Sequence, residues 1–168
     1  MIDGDLKVFD SSAIAIYLVE KYAKDDSLYP KDLVLRTKVN EKLFYVSSYI
    51  FPRGFQIFFG TMFGDQTEIS QKAIDELIRG YQTIEVFLTG NDYLAGNSLT
   101  LADLFLWPIT ESGAQVIPID ADKFPNFTRW VEKMRELPTY EFNKQGADFH
   151  VGFYRQCLAR NIAQKNKM

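Results

Sequence analysis

Cysteine and histidine are nearly missing from this chain: Cys157 and His150 are the only ones among 168 residues. A single cysteine excludes an intramolecular disulfide, and one cysteine with one histidine cannot assemble the usual nitrogen and sulfur zinc sets, so no metal is expected. No apolar stretch approaches the roughly 20 residues that span a bilayer, and Met1-Ile2-Asp3-Gly4-Asp5 carries no signal-peptide pattern. These absences predict no membrane partner and a cytoplasmic location. A basic surplus is also lacking. Lys and Arg number 19 against 22 Asp and Glu, for a net charge of −3, which argues against a nucleic-acid partner because neutralising phosphates takes clustered cations. The one basic run, Lys165-Asn166-Lys167, reads as a frayed tail. Period-two patterning is scarce too, limited to Leu6–Phe9 after an Asp3-Gly4-Asp5 turn. What remains is 46% apolar content, enough for one domain with a substantial core.

Helical spacing fills nearly all the rest. Asp10-Ser11-Ser12 caps a helix to about Lys24, with Ile14, Tyr17, Leu18 and Tyr22 recurring at helical steps. Lys24 through Asp32 is polar, holds Pro30 and separates this first unit from everything later. Leu35, Val39, Leu43, Val46 and Ile50 then fall on one stripe, and apolar character continues to Phe63. The pattern predicts one long helix kinked at Phe51 to Gly54, where Pro52 removes a backbone donor. Further helices are predicted from Ile74 to near Gly90, from Leu101 to about Val116 with a kink at Pro108, and around Phe127–Leu137 up to Pro138. One or two more, broken at Gln145-Gly146, cover Tyr140 to about Ile162. The fold class is mainly α, a helical bundle carrying a fragment of something else.

Three groups of residues carry specific physical content. Thr100 and Asp103 have the spacing of a capping box, with Leu99 and Leu104 as a hydrophobic staple. Asp10 and Ser11 stand at a helix start, where free amides and a partial positive charge suit a ligand carboxylate on Ser11 and an ammonium on Asp10. The same pair also reads as a plain helix cap. Phe51, Phe55, Phe58, Phe59, Met62 and Phe63 concentrate aromatics on the far half of the long helix. With Gly54 leaving room, they suit one wall of an apolar pocket, although each phenylalanine also suits a core. On this reading Phe51, Phe55, Phe58 and Met62 share one face and Phe59 and Phe63 turn toward another. Cys157 reads as an inert buried thiol. His150 has no serine or cysteine partner at recognisable spacing, and Glu111 is structural. No catalytic residue is assigned.

Four segments resemble the cytosolic glutathione transferases, most closely the insect-type delta and epsilon classes. They are Phe9 through Leu18, Tyr22 through Pro30, Tyr93-Leu94-Ala95-Gly96 with Leu99 through Asp103, and Phe124-Pro125-Asn126 with Trp130. The resemblance implies a remnant of a thioredoxin-like glutathione-binding domain over 1–24, a linker over 25–31 and an all-helical C-terminal domain over 32–168. It further implies that Ser11 holds the γ-glutamyl carboxylate of glutathione and Asp10 its ammonium. The hydrophobic co-substrate would lie against Phe51, Gly54, Phe55, Phe58, Phe59 and Phe63, with Phe149 and Phe153 closing over it.

The implied activity is conjugation of glutathione to small hydrophobic electrophiles in a detoxification-type role, by a homodimer in the full-length protein. Asp10 departs from the commoner glutamate, and its reach is about one methylene shorter. The family's first strand-helix-strand unit, the strand after it, its thiol-activating hydroxyl or thiol, and its cis-proline have no counterpart here. A fragment or shortened product with impaired activity is therefore expected. The alternative is a non-catalytic interaction module of the same helical type.

Overall fold

The structure is a computed structural model that describes residues 1–167. Glycine at position 4, with φ of +58°, turns the chain back on itself, so that β1 (Ile2–Asp3) pairs antiparallel with β2 (Leu6–Lys7) in the register Ile2 to Lys7 and Asp3 to Leu6. The N-terminal run thus forms a two-stranded hairpin, where the alternation of Leu6–Phe9 shows only its second strand. Two residues are too few for β1 to display a period.

The helix α1 (Ser11–Tyr22) begins where Asp10, in extended conformation, accepts the Ala13 amide on Oδ1 at 2.9 Å. Its far end holds the hairpin, because the hydroxyls of Tyr17 and Tyr22 and the Lys21 ammonium all donate to Asp3 Oδ2. Lys21 chiefly, with the two hydroxyls, holds the Asp3 carboxyl down at about 2.

The polar segment that follows is anchored. Tyr29 is buried in the core, its hydroxyl donates to Asn40 at 3.0 Å, and the Leu28 carbonyl accepts the Leu101 amide at 2.9 Å.

The Asp32 cap then starts α2 (Leu33–Tyr45), which passes through a π-helical stretch, Val46–Ile50, into α3 (Phe51–Met62) without a break. The irregularity lies ahead of the Phe51 to Gly54 kink expected from sequence. Pro52 has no N–H for the carbonyl of Ser48 one turn earlier, so the lost bond is felt upstream of the proline. There the ladder widens, with the Phe51 amide donating to Val46. The Ser47 and Ser48 hydroxyls turn back to the Phe44 carbonyl.

Helix α4 (Gln71–Phe87) is capped by Ser70, α5 (Leu101–Gly113) by Thr100, and α6 (Pro125–Arg135) starts at a proline. The last helix, α7 (Tyr140–Lys165), is continuous for 26 residues. The break expected at Gln145-Gly146 is absent, since a mid-helix glycine costs only about 1 kcal/mol and α7 packs against both α3 and α5.

Helix α5 sits in the middle, as its nearly all-round apolar sequence requires. Leu101, Ala102, Leu106 and Trp107 are buried, and α2, α3, α6 and α7 pack around it. It runs on through Pro108, which lies at its exposed edge. Among the described residues no helix is long and apolar enough to cross a membrane, and no group of His, Cys, Asp and Glu could hold a metal.

Candidate functional site

Helices α3 and α7 run side by side in the same direction. Phe58 meets His150 at a ring-centroid distance of 4.4 Å and Tyr154 at 5.2 Å, and further along both helices Asn161 donates to the Thr61 carbonyl at 3.0 Å. Between these two helices and α5 lies a cavity of about 860 Å³.

One wall is α3. Phe51, Gly54, Phe55, Phe58, Phe59, Met62 and Phe63 all face the space. The grouping differs from the stripes expected from sequence. Phe51, Phe55, Phe59 and Phe63 stand rung above rung, at centroid distances of 6.4, 4.8 and 5.3 Å, because side chains four apart on a helix lie one above the other. All four are solvent-exposed, whereas Phe58 alone turns inward and is buried. Gly54, which is buried, serves helix packing as well as space. A Cβ there would meet Ile109 Cγ2 at 3.1 Å, so glycine lets α3 approach α5 as well as baring the cavity floor.

The other walls come from α5, through Pro108, Ile109 and Ser112, and from α7, through two adjacent stripes. Phe142, Gly146 and Phe149 form one and Asn143, Ala147 and His150 the other. A Cβ on Gly146 would meet nothing within 4 Å. Sequence reading found Phe149 but missed the rest of α7's contribution and all of α5's. The signal was present as steps of three, four and seven from Phe142 and Asn143, but an assumed break at Gly146 cut it. Phe153 is half-exposed beyond the cavity and is not part of its lining.

The lining carries no charged side chain; its polar groups are Ser112, Asn143, Gln145 and His150. Burial beside Phe58 lowers the His150 pKa below its ordinary value. Asn143 Nδ2 is shielded and has no hydrogen-bond partner among the described residues.

Asp10 and Ser11 lie elsewhere. Both are exposed at the N-terminus of α1, and neither lines this cavity. Asp10 Oδ1 is engaged as the helix cap, which leaves Oδ2 without a partner among the described residues.

The pair Thr100 and Asp103 forms its capping box, with the carboxylate Oδ2 accepting the Thr100 amide at 2.9 Å and hydroxyl at 3.0 Å. Its second oxygen accepts the Leu94 amide at 2.8 Å and the Trp130 indole at 2.9 Å. Glu111 is buried against Arg135, and Cys157 is a buried free thiol.

Residues 49–138 match the family described as glutathione S-transferase, C-terminal domain. Over 166 residues the chain is 30% identical to glutathione S-transferase D6 of Drosophila melanogaster, covering 98% of this chain and 74% of that protein. Among solved structures, an epsilon-class glutathione S-transferase from the housefly Musca domestica aligns with a TM-score of 0.84 at 38% identity, over 89% of this chain and 70% of that one. A glutathione transferase homologue from Drosophila mojavensis with bound glutathione aligns with a TM-score of 0.87 at 38% identity, over 92% and 71%. The chain belongs to the glutathione S-transferase family, of the insect delta and epsilon type.

Proposed function

We propose that this chain supplies the co-substrate side, and one edge of the glutathione side, of a transferase that joins glutathione to small hydrophobic electrophiles. The observation that carries the reading is the cavity between α3, α5 and α7, walled by phenylalanines and free of charged side chains. Such a space desolvates an apolar molecule and holds it by shape, with a few polar groups to orient it.

Ser11 and its backbone amide, at the start of α1, hold the γ-glutamyl carboxylate, and the free oxygen of Asp10 faces the ammonium. Support comes from the motif order around Phe9–Leu18 and from the family membership, together with the ability of a helix N-terminus to bind an anion. On this reading 1–24 belongs to the glutathione-binding half, 25–31 connects, and 32–168 forms the helical half, with a homodimer in the full-length protein. Asp10 and Ser11 address only the γ-glutamyl end of glutathione, and no residue of 1–168 matches the family's thiol-activating position. The 168-residue chain alone is therefore expected to show little or no conjugation.

The test is a titration with S-hexylglutathione, which carries both a γ-glutamyl end and an apolar tail. Wild type is expected to bind it more tightly than Ser11→Ala does. Equal affinity would remove Ser11 from the site, and turnover close to that of a full-length relative would remove the expectation of impaired activity. A second reading, a non-catalytic interaction module, has in its favour the apolar surface bared by Ile2, Phe9, Leu18 and Tyr22. Failure of wild type to bind S-hexylglutathione at all would favour it.

A further inference from the structure

The aromatic wall of the cavity is longer than a single-ring electrophile needs. The ladder from Phe51 to Phe63 covers twelve residues of helical rise, roughly 18 Å at 1.5 Å each, and each ring neighbours the next, one pair stacked and two tilted. Across from it, Phe142 and Phe149 on α7 are 83% and 79% exposed. Apolar surface on this scale is unusual on a protein exterior and marks a place where something binds.

The polar groups of the lining stand apart from the ladder. Asn143, Gln145 and His150 are on α7 and Ser112 on α5, while α3 contributes only apolar side chains and glycine to the cavity. With the His150 pKa lowered by burial, no formal charge faces the space at neutral pH. A carboxylate or ammonium entering it would lose hydration without meeting an opposite charge.

From the ladder's length, its unbroken succession of neighbouring rings and the uncharged lining, we infer that the site takes elongated, uncharged, chain-like molecules of about twelve carbons or more. Their apolar body would lie along Phe51–Phe63, and one neutral polar group would face α7. A twelve-carbon chain built from carbon–carbon bonds of about 1.5 Å spans roughly 14 Å when extended, within the ladder's length. This rests on the proposed function in one respect, that the cavity is the co-substrate side. It adds the shape and charge of what enters.

The experiment is displacement of the uncharged dye N-phenyl-1-naphthylamine from the 168-residue chain by 1-alkanols from hexanol to dodecanol, with dodecanoate as the charged match. Affinity is expected to rise about two- to fourfold per added methylene up to dodecanol, as burial of each CH2 predicts, and dodecanoate is expected to bind at least tenfold more weakly than dodecanol. In Phe63→Ser, which removes one exposed rung and no core contact, the rise is expected to level off at a shorter chain. Hexanol binding followed by a plateau at octanol in wild type overturns the inference and leaves the co-substrate cavity standing. Equal affinity for dodecanol and dodecanoate overturns the uncharged requirement. Displacement by no alkanol at all overturns both the inference and the cavity reading beneath it.

Discussion

The Asp103 carboxylate accepts the Trp130 indole N–H at 2.9 Å in the middle of the bundle, tying the start of α5 to α6. The same carboxylate accepts the amides of Leu94 and Thr100 and the Thr100 hydroxyl, and Asp103 is 0% exposed. Burial drives its pKa up, and the four donors pull it partly back.

Asp103→Asn keeps the shape but replaces an acceptor oxygen by an NH2 that points donors at donors. Each buried donor left unpaired costs about 1–3 kcal/mol, so the substitution is expected to lower stability by about 3 kcal/mol or more. Urea unfolding followed by tryptophan fluorescence measures this. A loss under 1 kcal/mol would mean that the hub is not what holds α5 to α6.

Asn161 is the second polar lock. Its Nδ2 lies 3.0, 3.2 and 3.1 Å from the carbonyls of Thr61, Gly64 and Gln66. Two hydrogens therefore serve three acceptors, and the turn after α3 is fastened to α7. Asn161→Ala is expected to cost about 2 kcal/mol and to speed proteolytic cleavage within 63–70. Unchanged cleavage would show that the turn is held by other contacts.

His150 gives the cavity a pH dependence whose sign follows from its lowered pKa. As pH falls through about 6.5 the unfolded chain takes up the proton while the folded imidazole, half-buried beside Phe58, stays neutral. The stability associated with this residue is present above that pH and is lost as pH falls toward the folded pKa. The ring is partly open to solvent, so the effect is modest. The melting temperature of wild type is expected to drop more between pH 7 and pH 5 than that of His150→Gln. Parallel curves for the two proteins would assign the acid sensitivity to other groups.

Phe9 is fully exposed, and Ile2, Leu18 and Tyr22 of the same N-terminal segment are exposed too. Exposed apolar surface of this kind promotes association. Phe9→Ser with Leu18→Lys is expected to raise the concentration at which the chain stays monomeric, read by light scattering, with no change in melting temperature. Unaltered aggregation in the double variant would locate the adhesive surface elsewhere.

Much of this fold was legible because local signals agreed with tertiary demands. Asp10 caps α1, Thr100 and Asp103 open α5, and Pro138 follows the end of α6. The π-helical stretch at Val46–Ile50 was not legible, because a proline marks the loss of a hydrogen bond and leaves open where the ladder absorbs it. The continuity of α7 was hidden as well. Gly146 weakens a helix locally, but packing against α3 and α5 outweighs it. The candidate site was half legible: the phenylalanines of α3 could be named, while Ser112, Asn143 and His150 are brought to it only by the crossing of three helices.

Gly146 offers the most direct test that the space between α3, α5 and α7 is a binding site. A Cβ there meets nothing within 4 Å and the residue lines the cavity, so Gly146→Leu is expected to fill part of it, and replacing a mid-helix glycine stabilises by up to about 1 kcal/mol. Titration with N-phenyl-1-naphthylamine is expected to show at least tenfold weaker binding to Gly146→Leu than to wild type, with equal or higher melting temperature. Undiminished binding in a folded Gly146→Leu protein would contradict the account.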